Sequence, residues 1–268
     1  MEFWHQLDRH IVMNVLIVIP ARMGSQRFPA KALAQLQGPD GTRRSLVEWT
    51  WRAGLRAASG GQLVVATDDE AIVREVEGFG GRAVMTAVSL RNGTERCAAM
   101  VERLGELPDV IVNLQGDSPL VPAAMIDALV GALQDPGISV ATVCVPADDA
   151  LRAMILEESR AGRVGGTCAV VNARGQAVYF SKHPIPFSAD GSQALRLHVG
   201  LYAYRPSALA AYLANPPCEA ELAEGLEQLR FLHMGLPVQV VEVPLPDGGL
   251  WEVNNPSDIP IVEALLPA

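Results

Sequence analysis

Three cationic side chains, Arg22, Arg27 and Lys31, lie within ten positions of one another and alternate with glycine, serine and proline. They follow an apolar run, residues 15–19, which is typical of a buried strand. Arginine grips phosphate oxygens through a planar fork and lysine adds a point charge, so the spacing suits a polyphosphate. The segment lacks the glycine-rich Walker A signature. It therefore predicts a different kind of anion site, with a solvated basic loop as the alternative.

A carboxylate, Asp117, follows a second buried run at residues 110–114, within the sequence NLQGDSP. If the two strands are neighbours in a parallel sheet, Asp117 lies beside the cationic loop at the carboxyl edge. A carboxylate that faces a polyphosphate is best explained by a shared Mg²⁺, because this ion takes oxygen ligands and substrate phosphates. The alternative is an ordinary turn before a helix that starts with proline.

Four further segments carry polar residues that a binding site could use. Strand-like alternation in residues 198–204 predicts that His198 and Tyr202 share one face, whereas Glu227 and Gln228 fall in a predicted helix. For each segment a structural role is the alternative: a helix start, a strand histidine, a solvated helix face, or a turn. The four are residues 92–96, 198–204, 225–230 and 251–258.

The elements that must position these residues alternate between strand and helix in the first half of the chain. This rhythm predicts an α/β fold with a doubly wound, mainly parallel sheet. The second half predicts a β-rich excursion at about residues 165–210, which contains a hairpin and returns to the sheet. We interpret residues 13–268 as a single α/β domain and residues 1–12 as an N-terminal extension. The predicted strands are 15–19, 62–67, 82–85, 110–114, 139–145 and 238–243, and the predicted helices are 45–58, 68–78, 94–104, 122–133, 219–235 and 257–265.

Composition excludes several classes of protein. The chain of 268 residues is 49% hydrophobic and carries a formal net charge of −9, which disfavours a nucleic-acid partner. No apolar stretch approaches the roughly 18–20 residues that cross a bilayer, so no membrane partner is expected. The four cysteines are far apart and form no CxxC pair, which predicts reduced thiols in a cytoplasmic protein and no zinc site.

These pieces occur together, in this order, in one family. From about residue 15 to residue 265 the chain resembles the 3-deoxy-manno-octulosonate cytidylyltransferases (CMP-Kdo synthetases) and, more distantly, the acylneuraminate cytidylyltransferases. The resemblance implies a Rossmann-like, nucleotide-diphospho-sugar transferase-like fold and a homodimer assembled through the excursion. It also implies that CTP and a 3-deoxy-2-ulosonic sugar acid react, with Mg²⁺ as cofactor, to give the CMP-sugar acid and pyrophosphate. The most specific segments are IPARMGSQRFPAKAL, VATDDEAIVREVEGFGG, VNLQGDSPLVP, AVYFSKHPIPF, HVGLYAYR and LEQLRFL.

The resemblance assigns the site residues to three groups. Those at the triphosphate are Arg22, Ser25, Arg27 and Lys31, with Gln115 near the nucleotide or the sugar. Those at the metal are Asp117 and Asn254. Those at the sugar acid are Arg96, Lys182, His198, Tyr202, Glu227 and Gln228. Of these residues, the ones that the resemblance makes catalytic are Arg22, Lys31 and Asp117.

Several positions depart from the family pattern. Asn254 replaces the usual second metal-binding aspartate and offers a carbonyl oxygen without charge, and alternation predicts that the nearby Glu252 turns away from it. Lys182 stands where arginine is usual, Ser118 replaces a usual glutamate, and Cys168 is close to the place of a usual lysine. Two alternatives therefore stay open: another anionic acceptor, such as a nonulosonate or a phosphonate, or a catalytically silent nucleotide-binding relative.

Overall fold

The apolar run near the start of the chain forms a central strand of a nine-stranded sheet, where helices cover both faces. The computed structural model describes residues 13–25 and 27–267, so the predicted extension at residues 1–12 lies outside the described residues. The strands are β1 Val15–Ala21, β2 Gln35–Gln37, β3 Arg43–Ser45, β4 Gln62–Thr67, β5 Ala83–Met85, β6 Val110–Leu114, β7 Val140–Pro146, β8 Cys168–Val171, β9 Ala177–Ser181, β10 Arg196–Tyr204 and β11 Gln239–Glu242. The helices are α1 Leu46–Gly54, α2 Glu70–Gly78, α3 Gly93–Val101, α4 Ala123–Ala132, α5 Asp149–Arg160, α6 Pro206–Ala214, α7 Glu219–Glu224, α8 Leu229–His233 and α9 Ile259–Leu265.

The main sheet has the strand order β11-β7-β10-β6-β1-β4-β5. Strands β6, β1, β4 and β5 run parallel, and β11 runs parallel to β7. Strand β10 is antiparallel to both of its neighbours, β6 and β7, and joins the two parallel groups. The prediction of a mainly parallel sheet is confirmed, with β10 as a central exception.

Helices cover both faces of the sheet, as a doubly wound fold requires. On one face, Ile17 of β1 belongs to a buried cluster with Val47 of α1. On the other face, the adjacent Val18 belongs to a second cluster with Cys97 of α3 and Leu209 of α6. Because successive strand residues point to opposite faces, a strand between two helical layers is apolar at most of its positions.

The excursion contains the predicted hairpin, in which β8 and β9 pair antiparallel. Strand β8 also meets β10 at one position, Leu197 opposite Cys168, so the hairpin is attached to the main sheet. The single predicted helix at residues 219–235 is wrong, because Gly225 adopts a left-handed conformation (φ 63°) and ends α7 before α8 begins. Helices α5 and α6 were not predicted.

The cysteines and the lengths of the helices bear on the predicted environment of the protein. All four cysteines are buried and unpaired, as the reduced-thiol prediction requires. Within residues 13–25 and 27–267, no helix is both long enough and apolar enough to cross a membrane.

Candidate active site

The carboxyl ends of β1, β4 and β6 lie side by side, and each strand is followed by a polar loop. Because β10 runs in the opposite direction to β6, with Leu201 opposite Leu114, the first half of β10 reaches the same edge. The candidate site therefore lies where ligands collect in open α/β sheets, at the carboxyl edge of the parallel strands.

The loop after β1 closes on the backbone of Met23. The Met23 carbonyl accepts hydrogen bonds from the amides of Ser25 (2.9 Å) and Ala30 (3.2 Å). Ala30 adopts a left-handed conformation (φ 55°), which is uncommon for a residue other than glycine. A short 3₁₀ turn, Lys31–Leu33, follows directly. The predicted cationic segment is thus a folded loop with exposed Arg22 at its start.

Two of the cations contact the predicted metal residues. The Lys31 Nζ lies 2.6 Å from Asp117 Oδ2, and Arg27 Nη2 donates to Asn254 Oδ1 at 3.1 Å. The Val253 amide donates to the Asp117 carbonyl at 3.0 Å, which fixes the late segment beside the loop after β6. Residues that are far apart in sequence are therefore assembled into one group, which we call the phosphate-side group: Arg22, Ser25, Arg27, Lys31, Asp117 and Asn254.

Glu252 joins this group, so the prediction that it turns away is wrong. Asn254 Nδ2 lies 3.5 Å from Glu252 Oε2, because residues two apart in an extended chain share a side, so alternation places Glu252 with Asn254. Burial and the nearby Asp117 carboxylate raise the pKa of Glu252 to about 7. The side-chain oxygens of Asp117, Glu252 and Asn254 form a hard donor set that fits Mg²⁺. Among residues 13–25 and 27–267, no group of three or more His, Cys, Asp or Glu residues is arranged to hold a metal.

Gln115 lies in the loop after β6, between the phosphate-side group and strand β10. Its Nε2 donates to Asn113 Oδ1 at 3.2 Å. A Cβ atom on Gly93 would come within 2.9 Å of Gln115 Nε2, and one on Gly200 within 3.6 Å of its Cγ. Glycine at position 93 thus lets the first turn of α3 approach the loop after β6 closely.

A second group of polar side chains lies along β10. His198 Nε2 is 2.9 Å from Thr142 Oγ1, and the His198 and Tyr202 ring centroids are 5.4 Å apart. The Tyr202 hydroxyl donates to Gln228 Oε1 at 3.1 Å. Gln228 Nε2 is buried and has no hydrogen-bond partner within the described residues. A group used below, the β10 group, consists of His198, Tyr202, Gln228, Glu227 and Lys182.

The charges of the β10 group follow from its burial. Burial lowers the pKa of His198 to about 3, so the imidazole is neutral near pH 7. Burial also raises the pKa of Glu227, although the Thr94 amide donates to its carboxylate at 3.0 Å. Lys182 is exposed, and its Nζ lies 3.0 Å from the point where a Cβ on Gly225 would stand. The break after α7, at a glycine, therefore leaves room for the Lys182 side chain.

Arg96, which is predicted to lie at the sugar acid, is buried and bonded within the protein. It is only 2% exposed, and its guanidinium donates to Thr86 Oγ1 (2.6 Å) and Asp68 Oδ2 (2.5 Å). Asp68 in turn accepts a hydrogen bond from the Met23 amide at 3.3 Å. Asp68 is not among the residues that the sequence predicts to be functional. Its position directly after a buried strand, like that of Asp117, is the signal that indicates it.

Comparison with known proteins adds to this geometry. Residues 16–238 match the family model described as Cytidylyltransferase. A 3-deoxy-manno-octulosonate cytidylyltransferase of Maricaulis maris is 39% identical over 259 residues, which is 96% of this chain and 98% of the relative. A protein of the same name from Escherichia coli is 35% identical over 255 residues, 94% of this chain and 96% of the relative.

Two solved structures are similar to the fold. One, described as CMP:2-keto-3-deoxy-manno-octonic acid synthetase complexed with CTP, has a TM-score of 0.81 and 32% identity and covers 94% of this chain and 98% of its own. The other, a 4-diphosphocytidyl-2C-methyl-D-erythritol synthase from Anaerococcus prevotii, has a TM-score of 0.60 over 95% of this chain and 96% of its own. At 14% identity it shares the fold alone.

Proposed function

The chain belongs to the cytidylyltransferase family, and on that premise we propose that it transfers the cytidylyl group of CTP to 3-deoxy-manno-octulosonate or a closely related sugar acid. The products are the CMP-sugar acid and pyrophosphate. One observation carries the proposal: the phosphate-side group and the β10 group lie at the same sheet edge, with Gln115 between them. A nucleotide and a hydroxylated acid can thus be bound next to each other.

The phosphate-side group suits the triphosphate. Arg22, Ser25 and Arg27 supply donors that neutralise and orient its oxygens, because arginine and hydroxyl groups recognise phosphate directly. Lys31, which pairs with Asp117 in the free protein, is placed to counter the charge that develops on the leaving pyrophosphate. In the reaction the C2 hydroxyl oxygen attacks the α-phosphorus, the bond from the α-phosphorus to the bridging oxygen of pyrophosphate breaks, and the hydroxyl proton is released with the departing pyrophosphate.

We assign the magnesium site to Asp117, with Asn254 and Glu252 as further oxygen donors. When bound there, Mg²⁺ supplies charge neutralisation to the phosphates. We make Asp117 the principal ligand, because its carboxylate is only partly exposed and lies at the centre of the group, 2.6 Å from Lys31 Nζ. Lys31 must then exchange its contact with Asp117 for a phosphate oxygen.

The β10 group suits the sugar acid. Neutral His198, Tyr202 and Gln228 offer hydrogen bonds to hydroxyl groups, and the unpaired Gln228 Nε2 is a donor that an acceptor on the substrate would satisfy. Lys182 is the cation that we assign to the substrate carboxylate. As a point charge, it grips a carboxylate with less directional preference than arginine does. We place Glu227 at the same subsite.

The excursion supports a proposal about assembly. Val178, Tyr179 and Phe187 are exposed apolar residues on or near the hairpin, and a second copy of the chain would cover them. We therefore propose a homodimer through this region. The buried, unpaired cysteines support a reducing, cytoplasmic environment.

The decisive experiment measures pyrophosphate release from CTP and Mg²⁺ with a panel of acceptors: 3-deoxy-manno-octulosonate, a nonulosonate, a neutral hexose and a phosphonate. We expect turnover with 3-deoxy-manno-octulosonate and none with the hexose. Turnover confined to the nonulosonate or phosphonate would assign another acceptor. CTP binding without turnover of any acid would support a silent relative, the alternative that the uncharged Asn254 favours.

A further inference from the structure

The carboxylate of Asp68 is bonded on two sides. Its Oδ1 accepts a hydrogen bond from the Met23 amide at 3.3 Å, and its Oδ2 lies 2.5 Å from Arg96 Nη2. Met23 is the residue on whose carbonyl the phosphate-binding loop closes, through the amides of Ser25 and Ala30. One carboxylate after β4 therefore anchors the point at which the loop after β1 is fixed.

Arg96 is held in place by two partners, Asp68 and Thr86. The side chains of Arg96 and Asp68 are 3% and 10% exposed, so this ion pair is largely removed from water. The second guanidinium nitrogen of Arg96, Nη1, donates to Thr86 Oγ1 at 2.6 Å. Breaking one partner of a buried pair leaves an uncompensated charge, so such a pair keeps its geometry strongly. The contacts shown for this guanidinium are to Asp68, which bonds the loop through Met23, and to Thr86.

The first turn of α3 contacts both halves of the site. Arg96 extends from it to Asp68, whereas Thr94 donates its amide to Glu227 Oε2 at 3.0 Å and pairs its hydroxyl with Tyr204 at 2.8 Å. The two residues are separated by one position in the same helical turn. A rigid turn thus joins the loop that would bind phosphate to the residue that would face the sugar acid.

We propose that Asp68 and Arg96 are positioning residues: they fix the phosphate-binding loop from behind through the Met23 amide, and neither contacts substrate. The inference rests on the proposed function only where substrates are used to test it. The loop contacts themselves belong to the free protein and can be measured without CTP or any acceptor.

The primary test is amide hydrogen exchange in peptides covering residues 22–31 of the ligand-free, full-length protein. We expect the Asp68→Ala variant to exchange about tenfold faster in this segment, the factor that corresponds to losing a hydrogen bond to a charged group. The matched control is Asp69→Ala, which removes the neighbouring carboxylate and its cap on the Ala71 amide but not the Met23 contact. Equal loop exchange in the two variants would overturn the proposal.

A milder variant covers the case in which Asp68→Ala does not fold. Asp68→Asn keeps a neutral acceptor for Met23 but loses the charge that pairs with Arg96. We expect a smaller, measurable increase in exchange of the same peptides. Exchange identical to that of the wild type would contradict a role for the ion pair in fixing the loop.

A kinetic test separates this role from a direct sugar contact. Lysine cannot bond Thr86 and Asp68 together with the geometry of a guanidinium, so Arg96→Lys should raise the KM for CTP about tenfold and change the KM for the sugar acid less than about twofold. The reverse pattern would make Arg96 a substrate contact and refute the proposal. If no acid is turned over, the proposed function fails, and the exchange data still decide the role of Asp68 and Arg96.

Discussion

His198 gives the most quantitative prediction, because its surroundings fix its protonation state. The imidazole packs against Phe180 and Tyr202, with ring centroids 4.9 and 5.4 Å away, and its Nε2 is 2.9 Å from the Thr142 hydroxyl. Burial lowers the pKa of His198 from 6.5 to about 3. The perturbation is His198→Gln, which keeps a side chain able to hydrogen-bond with Thr142 and removes the titrating group.

The magnitude follows from linkage between protonation and folding. The pKa of His198 is lower in the folded protein than in the unfolded chain. Between pH 6.5 and pH 3, His198 is therefore protonated in the unfolded chain but not in the folded protein. Stability is therefore complete above pH 6.5 and falls as the pH falls. At pH 5 the free energy of unfolding is lower by about 2 kcal/mol, given about 1.4 kcal/mol for each tenfold change in proton concentration. This is an upper value, because the residue is only partly buried.

The assay is urea unfolding of the wild type and of His198→Gln at pH 7 and pH 5. Carboxylates titrate in both proteins, so the informative quantity is the difference between the two pH dependences. We expect the wild type to lose about 2 kcal/mol more than the variant on going to pH 5. Equal losses would show that His198 is not held neutral by burial, and our view of the β10 group as an uncharged hydrogen-bonding surface would then fail.

Three further substitutions test the phosphate-side group. Gly116→Ala places a Cβ 2.6 Å from the Pro20 carbonyl oxygen, so we expect the free energy of unfolding to fall by about 1–3 kcal/mol and turnover to fall as well. The control is Gly131→Ala, whose Cβ meets no atom within 4 Å and should cause neither loss. Asn254→Asp adds a charge near Asp117 and should tighten Mn²⁺ binding in an EPR titration; unchanged affinity would mean that the second ligand lies elsewhere. Asp117→Asn should lower kcat by about 10²-fold or more in the pyrophosphate assay while metal-free CTP binding, measured by calorimetry, persists. Near-normal turnover would exclude Asp117 from the metal site.

The parallel part of the fold could be predicted because its signals are local. A strand between two helical layers is apolar at most of its positions, so the runs that form β1, β4, β6 and β7 stand out in the sequence. The meeting of the cationic loop with Asp117 could also be predicted, since residues at the ends of neighbouring parallel strands must converge.

Long-range partners explain what could not be predicted. The burial of Arg96 depends on Asp68 and Thr86, which belong to different loops, and a charged residue in a first helical turn gives no sign of such partners. Glu252 lies on the same side as Asn254 because the two are separated by one residue in an extended segment, so the error there lay in how alternation was applied and not in a missing signal. The break at Gly225 depends on one glycine with positive φ, whereas the helical periodicity on either side continues.

The central place of β10 has a consequence for how the chain must be made. Strands β6 and β7 are complete by residue 146, yet neither can satisfy the backbone groups of its inner edge until residues 196–204 arrive between them. A ribosome must therefore release at least these residues before the sheet can close. Any nascent or truncated chain that ends earlier exposes one open edge of β6 and both edges of β7, whose other partner β11 comes later still, and open strand edges are prone to pair with other chains. The sheet edge that carries the phosphate-side group is therefore completed only by β10, the strand that also carries residues of the β10 group.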